Sequence, residues 1–292
     1  MRIIRAEHMG MCFGVRDAIA LVEERARSEP VTVLGELVHN ETVLAHLRAR
    51  GVQMQNNPEQ TATSTAIITA HGASEKFLGR ARERGLNIIE ATCPLVRVAH
   101  QALAALVKEG YHPVVIGIRN HVEVRGLTED LTDFDVVLNE LDIRALRERP
   151  RFGIAAQTTQ PIDRVRELVS RIQARFPNTE VRFADTVCHP TKQRQAAAIE
   201  LAKQCDMVVV IGGAHSNNTR ELVETCCRHC DRVIHVQGPV DLQPEWFAGV
   251  DMVGLTAGTS TPDQVIGAVE RRLHEFACRE SPGESVARTT PA

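Results

Sequence analysis

The feature that most restricts the fold of this chain is a pattern that occurs three times along its 292 residues. Each copy has a cysteine just before a helical pattern, then a buried strand that ends in glycine and a polar cluster, then a second such strand. The cysteines and the polar residues 28 positions after them form the pairs Cys12 and Asn40, Cys93 and His121, and Cys188 and Ser216. Matched spacing of this kind is typical of repeated structural units, although a glycine after a strand is common in any βα segment.

Short apolar strands alternate with helices along the chain, which indicates α/β layers with largely parallel sheets. The predicted strands are 31–34, 66–69, 114–118, 153–156, 207–211 and 252–256. The clearest helical patterns are 101–109, 164–175 and 194–204. With the repeat, this predicts three similar αβα domains in a pseudo-threefold arrangement, at residues 1–92, 93–186 and 187–278. A polar tail follows at 279–292, and we expect it to be disordered.

Charge and composition exclude several classes of function. A net charge of −3 and an aromatic content of 3% argue against a nucleic-acid-binding protein, which normally has a basic stripe or stacking aromatics. No apolar run has the length of a membrane span, and the start of the chain lacks the apolar segment of a signal peptide. We therefore expect a cytoplasmic protein. Its eight cysteines then favour metal binding, redox chemistry or burial over a disulfide framework.

The three repeated cysteines are predicted to meet in one pocket. Ligands of parallel α/β sheets bind beyond the carboxyl ends of the strands, where all the polar clusters lie. A helix N-terminus favours thiolate, so we expect the pKa of each thiol to be lowered. Three thiolates suit an iron–sulfur cluster with one iron left open as a Lewis acid, since a closed electron-transfer cluster normally has four. The alternative, three separate core cysteines, does not explain their equivalent positions.

Neutral polar side chains supply the rest of the predicted pocket. The donors at the strand ends are His39, His71, Ser216, Asn217, Asn218 and Ser260. Such groups, together with backbone N–H groups at helix starts, can hold a phosphate. Glu123 and His121 lie in the matching loop of the middle unit, and Thr158 lies at its second strand end. A carboxylate beside hydroxyls in a dry pocket can relay a proton, although an exposed pair of Glu123 with Arg125 is the alternative.

A second group of cysteines lies in the segment TCCRHC. Cys226, Cys227 and Cys230 include a C-x-x-C spacing, but they occur in a helical pattern that begins near Thr219. No matching second pair follows, so a zinc or redox role is not favoured.

With these motifs identified, the chain resembles the 4-hydroxy-3-methylbut-2-enyl diphosphate reductase family of the non-mevalonate isoprenoid pathway. The motifs that carry the resemblance are, in order, GMCFGV, VHN, AHG, ATCPLV, HVEV, QTT, TVC, SNNT and TAGTS. The resemblance implies three αβα domains around one central [4Fe–4S] cluster per chain. It assigns the cluster ligands to Cys12, Cys93 and Cys188, and leaves one iron open to substrate.

The resemblance also implies roles for the polar residues. Diphosphate-binding positions are matched by His39, His71, Ser216, Asn218 and Ser260. Near the substrate hydroxyl it implies His121 and Thr158, with Glu123 as the proton-relay acid. The chain departs from the family where H-P-E and S-S-N are common, because it has Val122 and Asn217 at the central positions. The loss of proline could change the stiffness of the loop, and the Asn217 contact is the less expected of the phosphate contacts.

The implied reaction is the two-electron reductive dehydroxylation of (E)-4-hydroxy-3-methylbut-2-enyl diphosphate to isopentenyl and dimethylallyl diphosphates and water. Since no second cofactor motif is visible, a ferredoxin or flavodoxin is the expected electron donor. A non-catalytic iron–sulfur sensor or regulator would keep the cysteines but would need neither Glu123 nor the phosphate donors. A zinc-binding or metal-free α/β binding protein is the third hypothesis.

Overall fold

The computed structural model describes residues 1–279, which form three four-stranded sheets with helices packed on them. All the strand pairings within these sheets are parallel. The predicted α/β class with three parallel αβα units is therefore confirmed. Of the predicted tail at 279–292, residue 279 ends the last helix, and 280–292 lie outside the described residues.

The strands and helices alternate along the chain. The strands are β1 (Arg2–Arg5), β2 (Val31–Leu34), β3 (Gln53–Gln55), β4 (Thr65–Ile68), β5 (Asn87–Glu90), β6 (His112–Ile116), β7 (Asp135–Val137), β8 (Arg151–Ala156), β9 (Glu180–Phe183), β10 (Met207–Ile211), β11 (Val233–Val236) and β12 (Met252–Ala257). The α-helices are α1 (Phe13–Ser28), α2 (Glu41–Ala49), α3 (Glu75–Glu83), α4 (Pro94–Lys108), α5 (Val122–Thr128), α6 (Glu140–Ala145), α7 (Ile162–Arg175), α8 (His189–Ala202), α9 (Asn217–Cys227) and α10 (Asp263–Arg279). Within residues 1–279, no helix combines the length and the apolar character that crossing a membrane requires.

The three sheets share one strand order. The orders are β3-β2-β4-β5, β7-β6-β8-β9 and β11-β10-β12-β1. The two inner strands of each sheet are the six that the apolar runs predicted, and residues of β2, β4 and β10 are buried throughout. The outer strands are partly exposed and carry polar residues, as in RIIR and NIIE, so they lack the continuous apolar run of a fully buried strand.

The first strand does not belong to the unit in which the sequence placed it. Residues Arg2–Arg5 pair with β12 at the edge of the third sheet, in the position that β5 and β9 hold in the other two. The prediction of 1–92 as one unit is therefore wrong for β1. The same connection occurs three times: after the outer strand of one sheet comes a cysteine, and directly after the cysteine the first helix of the next unit begins.

The 28-residue spacing of the sequence connects two helix starts in each unit. The three cysteines precede the first residues of α1, α4 and α8. Asn40, His121 and Ser216 precede α2, α5 and α9, and each accepts a hydrogen bond from a backbone N–H of its own helix. Side-chain acceptors at these positions satisfy N–H groups that the helix leaves unpaired. The spacing thus places six helix starts at the carboxyl ends of inner strands or at the crossings between units.

Candidate active site

Each repeated cysteine is held by the same backbone hydrogen bond. The N–H of Cys12 donates to the carbonyl of Thr259, that of Cys93 to Ala70, and that of Cys188 to Thr158, each at 3.0 Å. Every acceptor lies just beyond the second inner strand of the preceding unit. The three thiols therefore lie at the three joints between units, which is the convergence that the repeat predicted.

One cavity is lined by all the residues that the sequence predicted as cluster ligands, substrate contacts or proton donors. These residues are Cys12, Cys93, Cys188, His39, His71, His121, Glu123, Thr158, Ser216, Asn217, Asn218 and Ser260. They come from all three units, so the cavity exists only when the units pack together. Thr159, which follows Thr158 at the predicted strand end and supplies a second hydroxyl there, also lines it. So do Gly14, Thr191 and Thr259, for which the sequence predicted no role. Thr191 could have been found from its position three residues after Cys188, one turn into α8.

The ring of units is closed by direct contacts around the cavity. The hydroxyl of Ser260 in the third unit donates to the carbonyl of His39 in the first at 3.2 Å. A Cβ at Gly213 would lie only 2.4 Å from that same carbonyl oxygen, so the backbones of the two units meet there. Between the second and third units, the amide nitrogen of Asn217 lies 3.0 Å from the hydroxyl of Thr159.

Burial determines the direction in which the pKa values of the Cys93 and Cys188 thiols are shifted. Desolvation raises the pKa of the Cys93 thiol and raises that of Cys188 to about 11. Hydrogen bonds at the helix starts act in the opposite direction but are weaker. The expectation of lowered pKa values is therefore wrong for these two thiols, because desolvation disfavours the charged form. Metal ligation needs thiolates, so loading this site would release protons.

The cysteine geometry fits a cluster better than a single ion. Two Zn–S bonds of about 2.3 Å would place sulfurs about 4 Å apart. Within the described residues, the only three potential metal ligands whose ligand atoms all lie within 4.8 Å of one another are three histidines. The three cysteines do not meet this limit, so at least two of their sulfurs are more than 4.8 Å apart. A Cβ at Gly14 would lie 2.4 Å from the Cys93 sulfur, so glycine leaves space there that any other residue would fill. Three thiols that are not all close enough to bind one ion, with space beside Cys93, suit a multinuclear cluster.

Three imidazoles lie next to one another in the lining of the cavity. The rings of His39 and His71 stack at 4.4 Å, and that of His121 meets them edge-on at 5.2 and 5.6 Å. Burial lowers the pKa of His71 well below its usual value and that of His121 to about 3. Both rings are therefore neutral near pH 7, as the prediction of neutral donors requires. Nδ1 of His121 accepts from the Glu123 N–H at 3.1 Å, so the proton of the neutral ring is on Nε2.

Glu123 is a buried carboxyl group and not half of a surface ion pair. It is 1% exposed, whereas Arg125 is exposed. Its two oxygens accept from the N–H of Thr158 at 2.6 Å and from the Thr158 hydroxyl at 3.1 Å. Desolvation raises the pKa of Glu123 to about 7, although the two Thr158 bonds oppose the shift. A carboxyl group with this pKa can hold and release a proton near neutral pH.

Two buried polar atoms at the cavity have no protein partner. These are Nδ1 of His71 and Nδ2 of Asn218, which make no hydrogen bond within the described part of the chain. Oδ1 of Asn218 accepts from the Thr259 N–H at 2.9 Å, which directs the amide group. Unpaired buried donors are costly, so their presence together at one cavity indicates a polar ligand.

Comparison with known proteins agrees with this arrangement. The sequence model of the family described as LytB protein matches residues 3–274. This chain belongs to the LytB family. A 4-hydroxy-3-methylbut-2-enyl diphosphate reductase of Aquifex aeolicus is 38% identical over 280 residues, which cover 94% of this chain and 96% of the relative. A protein of the same name from Pelobacter propionicus is 36% identical over 278 residues, 94% of this chain and 99% of the relative.

LytB-type solved structures share the fold. The E-1-hydroxy-2-methyl-but-2-enyl-4-diphosphate reductase of Plasmodium falciparum superposes with a TM-score of 0.86 at 26% identity, over 96% of this chain and 99% of that one. A second structure, described as an (E)-4-hydroxy-3-methyl-but-2-enyl diphosphate reductase and terminal enzyme of the non-mevalonate pathway, has a TM-score of 0.67 at 38% identity. It covers 94% of this chain and 99% of its own.

The departures of this chain from the LytB motifs have different structural consequences. Val122 is the first residue of α5, where proline fits because its missing N–H has no helical partner to lose, and where valine fits equally. Asn217 is 3% exposed and bonds Thr159. The TCCRHC segment lies at the end of α9, where Cys226 and Cys230 pack in the apolar core of the third unit.

Proposed function

We propose that this LytB-family chain reduces (E)-4-hydroxy-3-methylbut-2-enyl diphosphate to isopentenyl and dimethylallyl diphosphates. The substrate takes up two electrons and two protons, its C–O bond breaks, and water leaves. The observation that carries the proposal is the position of Glu123, a buried carboxyl group with a pKa raised to about 7, in the cavity that the three cysteines and three histidines also line.

In this proposal Cys12, Cys93 and Cys188 would hold one [4Fe–4S] cluster, which would supply the electrons and Lewis acidity. The three cysteines leave no fourth thiol at the cavity within the described residues, which supports an open coordination position. The electrons would come from a ferredoxin or flavodoxin.

The diphosphate would be held by His39, His71, Ser216, Asn218 and Ser260. Neutral His71 and the unpaired Nδ2 of Asn218 can each donate a hydrogen bond. Ser216 precedes α9, whose first N–H groups also favour an anion. Ser260 donates to the carbonyl of His39 in this structure and would turn its hydroxyl to the phosphate when substrate binds.

Proton transfer would be the task of Glu123. Hydroxide is a poor leaving group, so protonation of the departing oxygen lowers the barrier to C–O cleavage. The hydroxyl of Thr158 bonds the Glu123 carboxylate and can bridge it to the substrate oxygen. His121, with its proton on Nε2, would donate a further hydrogen bond and orient the substrate hydroxyl.

The test is anaerobic purification followed by iron analysis, a visible spectrum and an assay with the diphosphate and a chemical reductant. We expect brown protein with about four irons per chain and turnover to both products. A full cluster without turnover would indicate the sensor or regulator instead. Protein without iron would indicate the zinc-binding or metal-free alternative.

A further inference from the structure

Asn217 makes a contact that a diphosphate ligand would not need. Its side chain is almost fully buried, 3% exposed, at the first position of α9 in the third unit. Its Nδ2 lies 3.0 Å from the hydroxyl oxygen and 3.4 Å from the carbonyl oxygen of Thr159 in the second unit. An amide nitrogen has two N–H groups, and both acceptors here belong to Thr159.

Thr159 is directly bonded to the residue that holds the proposed acid. Thr158 supplies both hydrogen bonds to the Glu123 carboxylate, through its backbone N–H and through its hydroxyl. The segment is tied to its own unit through Gln157, whose Nε2 donates to the Thr159 hydroxyl and whose Oε1 accepts from the Ile118 N–H, both at 3.1 Å. Asn217 adds a tie from the third unit to the same hydroxyl.

From this geometry we propose that Asn217 is a positioning residue for the acid and not a ligand of the diphosphate. It links the start of α9 to the Thr158–Glu123 pair across the joint between two units. The inference rests on the proposed function, in which Ser216 and Asn218 on either side of Asn217 bind the diphosphate. Binding of the diphosphate at the start of α9 would then affect the position of Asn217 and Thr159, and through them the position of Thr158, which orients Glu123.

The chemistry of the amide supports this role over a phosphate contact. Nδ2 of Asn217 is directed at Thr159, with both of its acceptor contacts on that residue, and the other polar atom of the amide is Oδ1, an acceptor that phosphate oxygens repel. The polar atom of a serine at this position would be one bond closer to the backbone than Nδ2, so serine would not reproduce the two Thr159 contacts. Proton transfer is sensitive to displacements of less than about 1 Å, so loss of the Asn217–Thr159 contact next to the acid should lower kcat.

The first test measures kcat, KM and the inhibition constant of pyrophosphate in Asn217→Ser. Asn178→Ser, the same substitution at an exposed turn, is the matched control. A positioning role predicts that kcat falls about tenfold, while the inhibition constant of pyrophosphate and KM stay within about twofold. Asn178→Ser should match the wild type. An inhibition constant that rises about tenfold with kcat unchanged would show that Asn217 binds the diphosphate and would overturn the inference.

The second test is a double-mutant cycle with Thr159→Val, which removes the hydroxyl acceptor and keeps the shape. If the two side chains act through their contact, the double variant should lose no more kcat than the worse single variant. Independent, multiplying losses would overturn the link.

The third test does not depend on turnover, so it separates this inference from the proposed function. Hydrogen exchange of the backbone amides of residues 157–160 should be faster in Asn217→Ser than in wild type, because a hydrogen bond to this segment is lost. Unchanged exchange would overturn the inference even if the wild type reduces the substrate. Absence of turnover by the wild type, with faster exchange in the variant, would refute the proposed function and leave the Asn217–Thr159 tie intact.

Discussion

The carboxylate of Glu123 accepts two hydrogen bonds from one residue, Thr158, at 2.6 Å from the backbone N–H and at 3.1 Å from the hydroxyl. The two residues are 35 positions apart and lie beyond neighbouring inner strands, β6 and β8, of the second sheet. The pairing holds a buried carboxyl group in one orientation at the wall of the cavity. It is the relationship on which the chemistry proposed for this chain depends most.

Replacing Glu123 by glutamine should abolish most of the turnover. Glu123→Gln keeps the shape of the side chain and removes its ionisable proton. We expect an intact cluster, near-normal substrate binding and a loss of at least about a hundredfold in kcat, the usual contribution of general acid catalysis. Turnover and iron content should be measured on the same preparation. Near-normal kcat with a full cluster would assign the proton to His121 or to bound water.

The pH dependence of kcat should carry the signature of the same group. The acid must be protonated to act, and the pKa of Glu123 is raised to about 7 by burial. Turnover should therefore be highest below this pKa and fall as the pH rises through it, approaching tenfold per pH unit. Glu123→Gln should lack this descending limb. An identical limb in the variant would assign the titration to another group.

The three cysteines of the joints should be required for the cluster. Cys12→Ser, Cys93→Ser and Cys188→Ser should each lose iron or nearly all activity, because thiolate is the matched ligand for iron in these clusters. The same change at Cys226, Cys227 or Cys230 should leave the iron content unchanged. Cys227 is exposed and is the cleanest control, whereas Cys226 and Cys230 are buried and their loss also costs stability. Iron loss in the second group alone would contradict the assignment.

Replacing Gly14 should lower the iron content as replacing a cluster ligand does. A Cβ there would lie 2.4 Å from the Cys93 sulfur, too close for any real contact, so Gly14→Ala should displace that thiol and lower the iron content. Gly79→Ala is the matched control, because Gly79 lies in α3 and a Cβ there has no neighbour within 4 Å. The control should gain about 0.5–1 kcal/mol of stability from helix propensity and keep its iron. Normal iron in Gly14→Ala would place the cluster elsewhere.

The diphosphate site should respond to single donors. Ser260→Ala and His71→Asn should each weaken substrate binding by about 1–3 kcal/mol, roughly 5- to 150-fold, since a charged ligand atom loses its partner. Pyrophosphate should inhibit competitively, and its inhibition constant should rise in parallel. Ser64→Ala, at an exposed position, provides the control. Failure of pyrophosphate to compete, with unchanged Michaelis constants in both variants, would remove these residues from the site.

Much of this fold and cavity followed from local patterns along the chain. The inner strands are continuous apolar runs because both of their faces are buried, and such runs are visible in the sequence without a partner. The 28-residue spacing identified equivalent helix starts, since a repeated unit places equivalent residues at equivalent strand ends. That is why the cysteines and the polar residues predicted from the sequence line one cavity.

Three properties were decided by the tertiary structure alone. These are the strand that β1 pairs with, the direction of the pKa shifts of Cys93 and Cys188, and the residue that Asn217 contacts. Arg2–Arg5 joins a sheet whose other strands lie more than 200 residues away, and its short RIIR sequence, exposed at both ends, carries no signal of that partner. The raised pKa of Cys188 comes from desolvation by burial in the folded protein, which outweighs the local hydrogen bonds of Thr191. The partner of Asn217 is 58 residues away across a joint between units. Each of these properties depends on atoms brought together only by packing, whereas helix starts and buried strands are specified by residues close in the chain.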